Sequence, residues 1–241
     1  MTAGVSNQAL EKLRRVSTAT LTTQLFKRGL RNAYLQGIRR MSKAGPNLVG
    51  PAFTLRNIPA REDLDVMSVF ENPEHPQRKA IEVTPAGAVL VIDCRRDTRA
   101  ASAGDILIKR LEMRGVAGFV SDGCVRDSEG IASGVFPVYC AGGSAPLNLA
   151  IHHAVDMNVP IACGSVPVYP GDLIVGDAEG VVVVPSHLAE VVANDAIEQE
   201  LLEEFIIGEI AGGRALPGTY PANAETRKRF DAWRAARGKA P

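Results

Sequence analysis

The chain has no net charge, no paired cysteines and no long apolar run. Lys+Arg and Asp+Glu both number 27 in 241 residues, so there is no basic field of the kind that holds a nucleic acid. The four cysteines, Cys94, Cys124, Cys140 and Cys163, lie far apart and form no C-x-x-C pair. That spacing argues against a zinc cluster and for reduced thiols in the core or close to a site. No stretch reaches the length of a membrane span, and Met1 to Ala19 lacks the apolar centre of a secretion signal. Internal repeats, low-complexity tracts and a P-loop are also missing, and no G-x-G-x-x-G follows a strand pattern. These absences predict a soluble cytoplasmic protein of one domain over residues 1–241, with neither nucleic acid nor membrane as partner.

What is present centres on Ala103 to Asp127, A-G-D-I-L-I-K-R-L-E-M-R-G-V-A-G-F-V-S-D-G-C-V-R-D. Asp105 can cap a helix that begins at Ile106, its carboxylate accepting from free first-turn amides. Leu107, Ile108, Leu111 and Met113 supply an apolar stripe, and Gly115 the stop. Val116 to Val120 reads as a strand buried on both faces, broken by Ser121-Asp122-Gly123. Such a βα arrangement can carry Asp105, the helix N-terminus and the pair Arg126-Asp127 to one rim. The amides of Ile106, Leu107 and Ile108 would then make an anion site. Arg126 offers a planar fork for a carboxylate or enolate oxygen. Asp127 is a hard oxygen ligand suited to Mg²⁺ or Mn²⁺ that keeps most of its water. On local chemistry alone, a capping Asp and an Arg-Asp turn pair more often serve structure.

Around this stretch, amphipathic helices are predicted over Asn7–Val16, with Leu10, Leu13 and Val16 on one side, and over 17–29, capped by Ser17 or Thr18. Two strands fall within Ile38–Asn57. Residues 59–85 are charged and proline-rich, a surface loop with a short helix from which Arg61, His75 or Arg78 could reach over a pocket. Ala88–Asp93 reads as a buried strand leading to Arg96 and Arg99, either of which could bind an acidic substrate. Ser128–Ser133 is a short helix and F-P-V-Y-C a strand. Ile151–Val155 and 159–163 read as a strand pair about a turn at Asp156-Met157-Asn158, with His152 and His153 on opposite faces. A hairpin turns near Asp177–Gly180, with Asp172 and Asp177 in turn roles. A long helix from Ser186 to about Gly208 places Glu198, Glu200, Glu203 and Glu204 mostly on one polar side, and the tail with Trp233 packs on the body or across a subunit contact. Helices at 7–29 and 186–241 thus flank mixed short strands, the pattern of a mixed α/β sandwich.

Asp105, twenty intervening residues and Arg126-Asp127 resemble the D-x20-R-D motif of the RraA-like family, which includes the class II 4-hydroxy-4-methyl-2-oxoglutarate aldolases. G-D-I-L at 104–107, G-V-A-G-F-V-S-D-G-C-V-R-D at 115–127, F-P-V-Y at 136–139 and V-P-V-Y-P-G-D-L-I-V-G-D-A-E-G-V-V-V-V-P at 166–185 extend the resemblance, in order, through most of Ser17 to Gly213. It implies an αββα sandwich of the RraA-like, swivelling-domain type, assembled as a homotrimer or a hexamer with sites between subunits. It further implies a Mg²⁺- or Mn²⁺-dependent lyase that breaks a C–C bond of a 4-hydroxy-2-oxo acid to release pyruvate, and that can also decarboxylate oxaloacetate. In that scheme Asp127 holds the metal, and Arg126 steadies the enolate. Gly104, Ile106, Leu107 and Arg126 bind the small 2-oxo acid, while Asp105 orients or activates a water as base. Glu203, or Glu200 as second choice, would reach a neighbouring subunit's site. Two departures stand out: Thr23 replaces the acidic residue of the family's S-T-A-x-x-x-D-A-L, and residues 59–85 are longer than the matching part. They leave room for a dehydratase of a 2-oxo-3-deoxy sugar acid. The competing expectation from another class is a non-catalytic protein that binds ribonuclease E.

Overall fold

A computed structural model describes residues 5–237; residues 1–4 and 238–241 of the expected single domain lie outside the described residues. The chain begins with α1 (Asn7–Arg15), α2 (Thr18–Phe26), β1 (Arg39–Arg40), β2 (Leu48–Pro59) and α3 (Pro76–Val83). Next come β3 (Val89–Asp93), β4 (Ala101–Ala103), α4 (Asp105–Met113), β5 (Gly118–Ser121), β6 (Cys124–Val125) and α5 (Ser128–Ser133). It continues through β7 (Val138–Cys140), β8 (Gly142–Gly143), β9 (His152–Met157), β10 (Ile161–Cys163), β11 (Val166–Val168), β12 (Leu173–Gly176) and β13 (Val181–Val184), and ends in α6 (Ala189–Ala211) and α7 (Ala224–Arg237).

The long strand β2 is the axis of an 8-stranded sheet in the order β1-β7-β5-β3-β2-β12-β13. Its first half pairs antiparallel with β12, while its second half, beyond the reach of that short strand, pairs antiparallel with β9. Strands β2, β3, β5 and β7 are mutually parallel, and every residue of β3 and β5 is buried, as strands covered on both faces require. The period-2 alternation separates two cores. Leu90 and Ile92 join Leu55 and Phe119 against Ile81, Ile108, Leu111 and Ile131 of α3, α4 and α5. Val89 and Val91 face the other way, with Leu48, Val120, Ile174, Val183 and the β10–β11 ribbon. At the far end Val49, Leu173, Val175, Val182 and Val184 meet α1, α2 and α6. Helices therefore cover the outer face at both ends while the curled sheet packs on itself inside, giving four layers: the expected αββα sandwich.

Local chemistry explains the ends of the helices. Ser6 Oγ accepts from Ala9 N and Ser17 Oγ from Thr20 N, both at 3.1 Å, so α1 and α2 start where a capping hydroxyl can satisfy a free amide. Leu13, Leu21 and Leu25 are fully buried beneath α6, each contributing about 2 kcal/mol. Helix α7 closes on α6 through Phe205, Ile206, Phe230 and Trp233.

Several expectations are corrected. Strands β9 and β10 do not pair with each other: β9 adds to β2 and β10 to β11, with Asn158 at φ 56° turning the chain away between them. Met113, expected in the apolar stripe, is 69% exposed. Ser186 lies in a 3-10 turn before α6 and does not cap it. The glutamates of α6 diverge: Glu198 and Glu204 pair with Arg234 and Arg237, whereas Glu200 accepts from Ser17 N and Oγ at 2.9 and 2.8 Å.

Candidate active site

A second, three-stranded sheet builds the site. β4, β6 and β8 run parallel, so their carboxyl ends share one edge. From that edge emerge Gly104-Asp105, Arg126-Asp127 and Ser144-Ala145. The spacing of 22 positions between Asp105 and Asp127 is the length of one crossover through α4 and β5. Arg126 N donates to Ala103 O at 3.0 Å and Ser144 N to Val125 O at 2.9 Å, which fixes the three exits to one another.

Gly104 lies directly beneath the corner. A methyl group on its α-carbon would sit 2.8 Å from Asp127 Oδ2 and 3.0 Å from Arg126 Cγ. Gly104, in extended backbone, is the N-cap of α4, and Asp105 is that helix's first residue; Asp105 therefore makes no capping bond, contrary to expectation. Ile108 N already donates to Gly104 O at 3.1 Å, so of the three amides expected to be free, those of Ile106 and Leu107 remain without a backbone acceptor. Asp127 has left-handed backbone, φ 56° and ψ 36°, and N-caps α5 without a side-chain bond, which leaves its carboxylate facing outward. Its nearest charge is Arg126 Nε, 3.4 Å from Oδ2.

Three clefts meet at Asp105. One of about 450 Å³ is lined by Asp105, Arg126, Asp127, Ser128, Glu129 and Ser144. A second, of about 310 Å³, is lined by Gly104–Leu107, Arg126 and Asp127 together with Met67, Phe70, Gln77, Arg78 and Asn148. The third, of about 500 Å³, touches neither Arg126 nor Asp127 and is lined by Ile106, Lys109, Glu112 and Phe136. The paired charges thus belong to the first two.

The family model for RraA-like proteins, described as aldolase/RraA, matches residues 18–183. The chain belongs to the RraA-like family. A relative from Halalkalibacterium halodurans, provisionally named a 4-hydroxy-4-methyl-2-oxoglutarate aldolase, is 36% identical over 157 residues, covering 65% of this chain and 69% of its own. DlpA of Legionella pneumophila is 29% identical over 207 residues, 86% of this chain but 32% of that protein. The crystal structure of Streptomyces coelicolor RraAS2, described as an unusual member of the RNase ES inhibitor RraA family, aligns with a TM-score of 0.73 at 31% identity, covering 83% of this chain and 96% of that one.

Around this RraA-like rim, the remaining candidates divide. Arg96 donates to Ser165 Oγ at 2.9 Å and Arg99 is held by Asp97, so neither lines the clefts. Arg61 pairs with Asp63, and His75 is buried edge-on to Phe70. Burial pushes the His75 pKa down. His152 is buried, while His153 Nδ1 lies 2.8 Å from Asp65 Oδ1 and ties the 59–85 segment to β9. Arg78 does reach the cleft. Glu203 accepts from Gln199 at 2.9 Å, and neither Glu203 nor Glu200 lines the clefts of its own chain. Thr23 lines a separate cleft with Phe26 and Tyr34. Met67, Phe70 and Gln77 carry no motif by which the sequence could have marked them.

Sequence reasoning also passed over Asp122, treated only as part of a strand break. Buried at the end of β5, its carboxylate accepts from Cys94 N at 2.6 Å, Arg96 N at 3.2 Å and Gly164 N at 3.1 Å. Burial pushes its pKa up to about 6, with the amides pulling the other way. The same burial pushes Cys94 up to about 12, so that thiol is inert. Asp122→Asn sets an NH₂ against buried N–H donors and is expected to cost about 3 kcal/mol in chemical denaturation. A variant within about 0.5 kcal/mol of the parent would show that the amides find other acceptors.

Among the described residues no three His, Cys, Asp or Glu side chains converge as a closed metal cage. Asp105 and Asp127 instead put two carboxylates on one open cleft. That donor set fits a hard cation which keeps several waters, such as Mg²⁺ or Mn²⁺, and not tetrahedral zinc.

Proposed function

We propose that this protein is a divalent-metal-dependent lyase that cleaves the C3–C4 bond of a 4-hydroxy-2-oxo acid and releases pyruvate. The observation that carries this is the meeting, on one cleft, of the Arg126 guanidinium, the Asp105 and Asp127 carboxylates and the free first turn of α4. Relatives provisionally named as aldolases of such an acid support the same chemistry.

The substrate carboxylate would lie against the amides of Ile106 and Leu107, where unpaired N–H groups and the helix dipole favour an anion. Arg126 would donate to the 2-oxo oxygen, which gains negative charge as the bond breaks, so the contact strengthens in the transition state. Asp105 would take the 4-hydroxyl proton, directly or through a water, as C4 becomes a carbonyl. Protonation at C3 then gives pyruvate. Asp127, with Asp105 beside it, would hold Mg²⁺ or Mn²⁺, which when bound supplies Lewis-acid charge to the 2-oxo group. The same electron sink serves decarboxylation of oxaloacetate. In a homotrimer or hexamer, Glu203 of α6 would complete the site from a neighbouring subunit.

A coupled assay for pyruvate over a panel of 2-oxo acids tests this. Chelation with EDTA is expected to lower turnover by at least about a hundredfold, with recovery on adding Mg²⁺ or Mn²⁺. Turnover unaffected by chelation and by Asp127→Ala would contradict the metal role. Capture of a ribonuclease E-type endonuclease, with no turnover on any acid, would favour the binding activity that the RraAS2 description names.

A further inference from the structure

We infer that Arg78, carried on the long 59–85 segment, selects dicarboxylic substrates by pairing with the carboxylate at the end of the 2-oxo acid remote from the α4 amides. The inference rests on the lyase reading for its substrate frame, but its observations are separate.

Arg78 lines the same 310 Å³ cleft as Gly104–Leu107 and Arg126. Its guanidinium carbon lies over the Phe70 ring, 4.2 Å from the centre, a cation–π contact that steadies the charged head. Among the described residues it has no carboxylate partner and no hydrogen bond, although other arginines nearby are neutralised, Arg110 and Arg114 by Glu82 and Arg61 by Asp63. A half-buried cation without a counter-ion is costly unless something anionic visits it. Burial pushes its pKa down, with no opposing carboxylate to restore it.

The position is fixed. Gln77, the neighbouring residue on α3, donates from Nε2 to Ser102 O at 2.7 Å, which ties the helix to β4, the strand that ends at Gly104. Gln77 Oε1, an acceptor, has no partner among the described residues, and Asn148, whose amide can donate, lines the same cleft. The unpaired Arg78 cation and the Asn148 amide thus share one small cavity with Arg126 and the amides of Ile106 and Leu107. A small cavity lined by a helix N-terminus and by a second cation without a counter-ion matches an acid that carries more than one carboxylate.

The test compares ligands that differ only by a methyl for a carboxylate. With purified full-length protein and Mg²⁺, calorimetry measures 2-oxoglutarate against 2-oxopentanoate, neither of which has a 4-hydroxyl to react. The parent is expected to prefer the dicarboxylate by about tenfold to a hundredfold, the range of a charge-assisted hydrogen bond. Arg78→Met is expected to shrink that preference to less than about threefold, and Arg78→Lys to keep part of it, since charge survives but the fork does not. Equal affinities in the parent, or a preference retained in Arg78→Met, overturn the inference. Thermal melts confirm that each variant is folded; should Arg78→Met fail to fold, Arg78→Gln replaces it and is expected to show the same loss of preference, below about threefold. Turnover of 4-hydroxy-2-oxoglutarate and 4-hydroxy-2-oxopentanoate is followed in parallel. Arg78-dependent binding without pyruvate release leaves the selection standing and removes the lyase reading; pyruvate release without Arg78-dependent preference does the reverse.

Discussion

Arg126→Ala is expected to lower kcat/KM for pyruvate release by about a hundredfold to a thousandfold, the cost of removing a preorganised donor aimed at developing charge. The fold should not notice. The side chain is 49% exposed, and its one ion pair among the described residues is the 3.4 Å contact with Asp127, so the melting temperature is expected to stay within about two degrees. Arg126→Lys should recover only part of the loss, because an ammonium cannot span two oxygens as the planar fork does. A large effect on kcat/KM with none on stability separates a residue that meets the substrate from one that merely closes a turn. Parent-like turnover in Arg126→Ala would remove this residue from the chemistry.

Gly104→Ala is the sharper probe of geometry. At φ −120° and ψ −179° the backbone is open to any residue, so alanine brings no conformational penalty. Its methyl, however, would meet Asp127 Oδ2 at 2.8 Å and Arg126 Cγ at 3.0 Å, closer than side-chain carbons approach. Both partners are mobile side chains and can swing aside, so the expected cost falls on catalysis: about a hundredfold in kcat/KM, as a displacement near 1 Å produces, with little change in melting temperature. Retained activity would mean that the corner tolerates displacement and does not act as a unit. Loss of stability instead would assign Gly104 to packing.

The Ser17 cap, the buried strands and the Asp105/Arg126-Asp127 spacing were legible in the sequence because each is decided locally, whereas the caps expected from Asp105 and Ser186 do not form. Ser17 caps α2 with its own hydroxyl, and the valines of β13 announce a covered strand. What was not legible depends on partners distant in the chain. β2 runs for 12 residues while β12 runs for 4, and only that mismatch exposes the edge that β9 occupies. β4, β6 and β8 are 2 or 3 residues long, too short for any periodicity, yet their shared edge gathers the site. Asp122 looked like a turn residue because its three amide donors come from two other loops. The α6 glutamates looked like one polar face because the sequence does not reveal that α2 and α7 take different sides of that helix.

The most direct test of the central claim is a crystal of the full chain soaked with pyruvate and Mn²⁺, read by anomalous scattering. The account predicts a manganese peak at Asp127, with the pyruvate carboxylate on the amides of Ile106 and Leu107 and its oxo oxygen within hydrogen-bond reach of Arg126. A rim that stays empty of both, or an Arg126-Asp127 corner filled by packed side chains of another subunit, would contradict it.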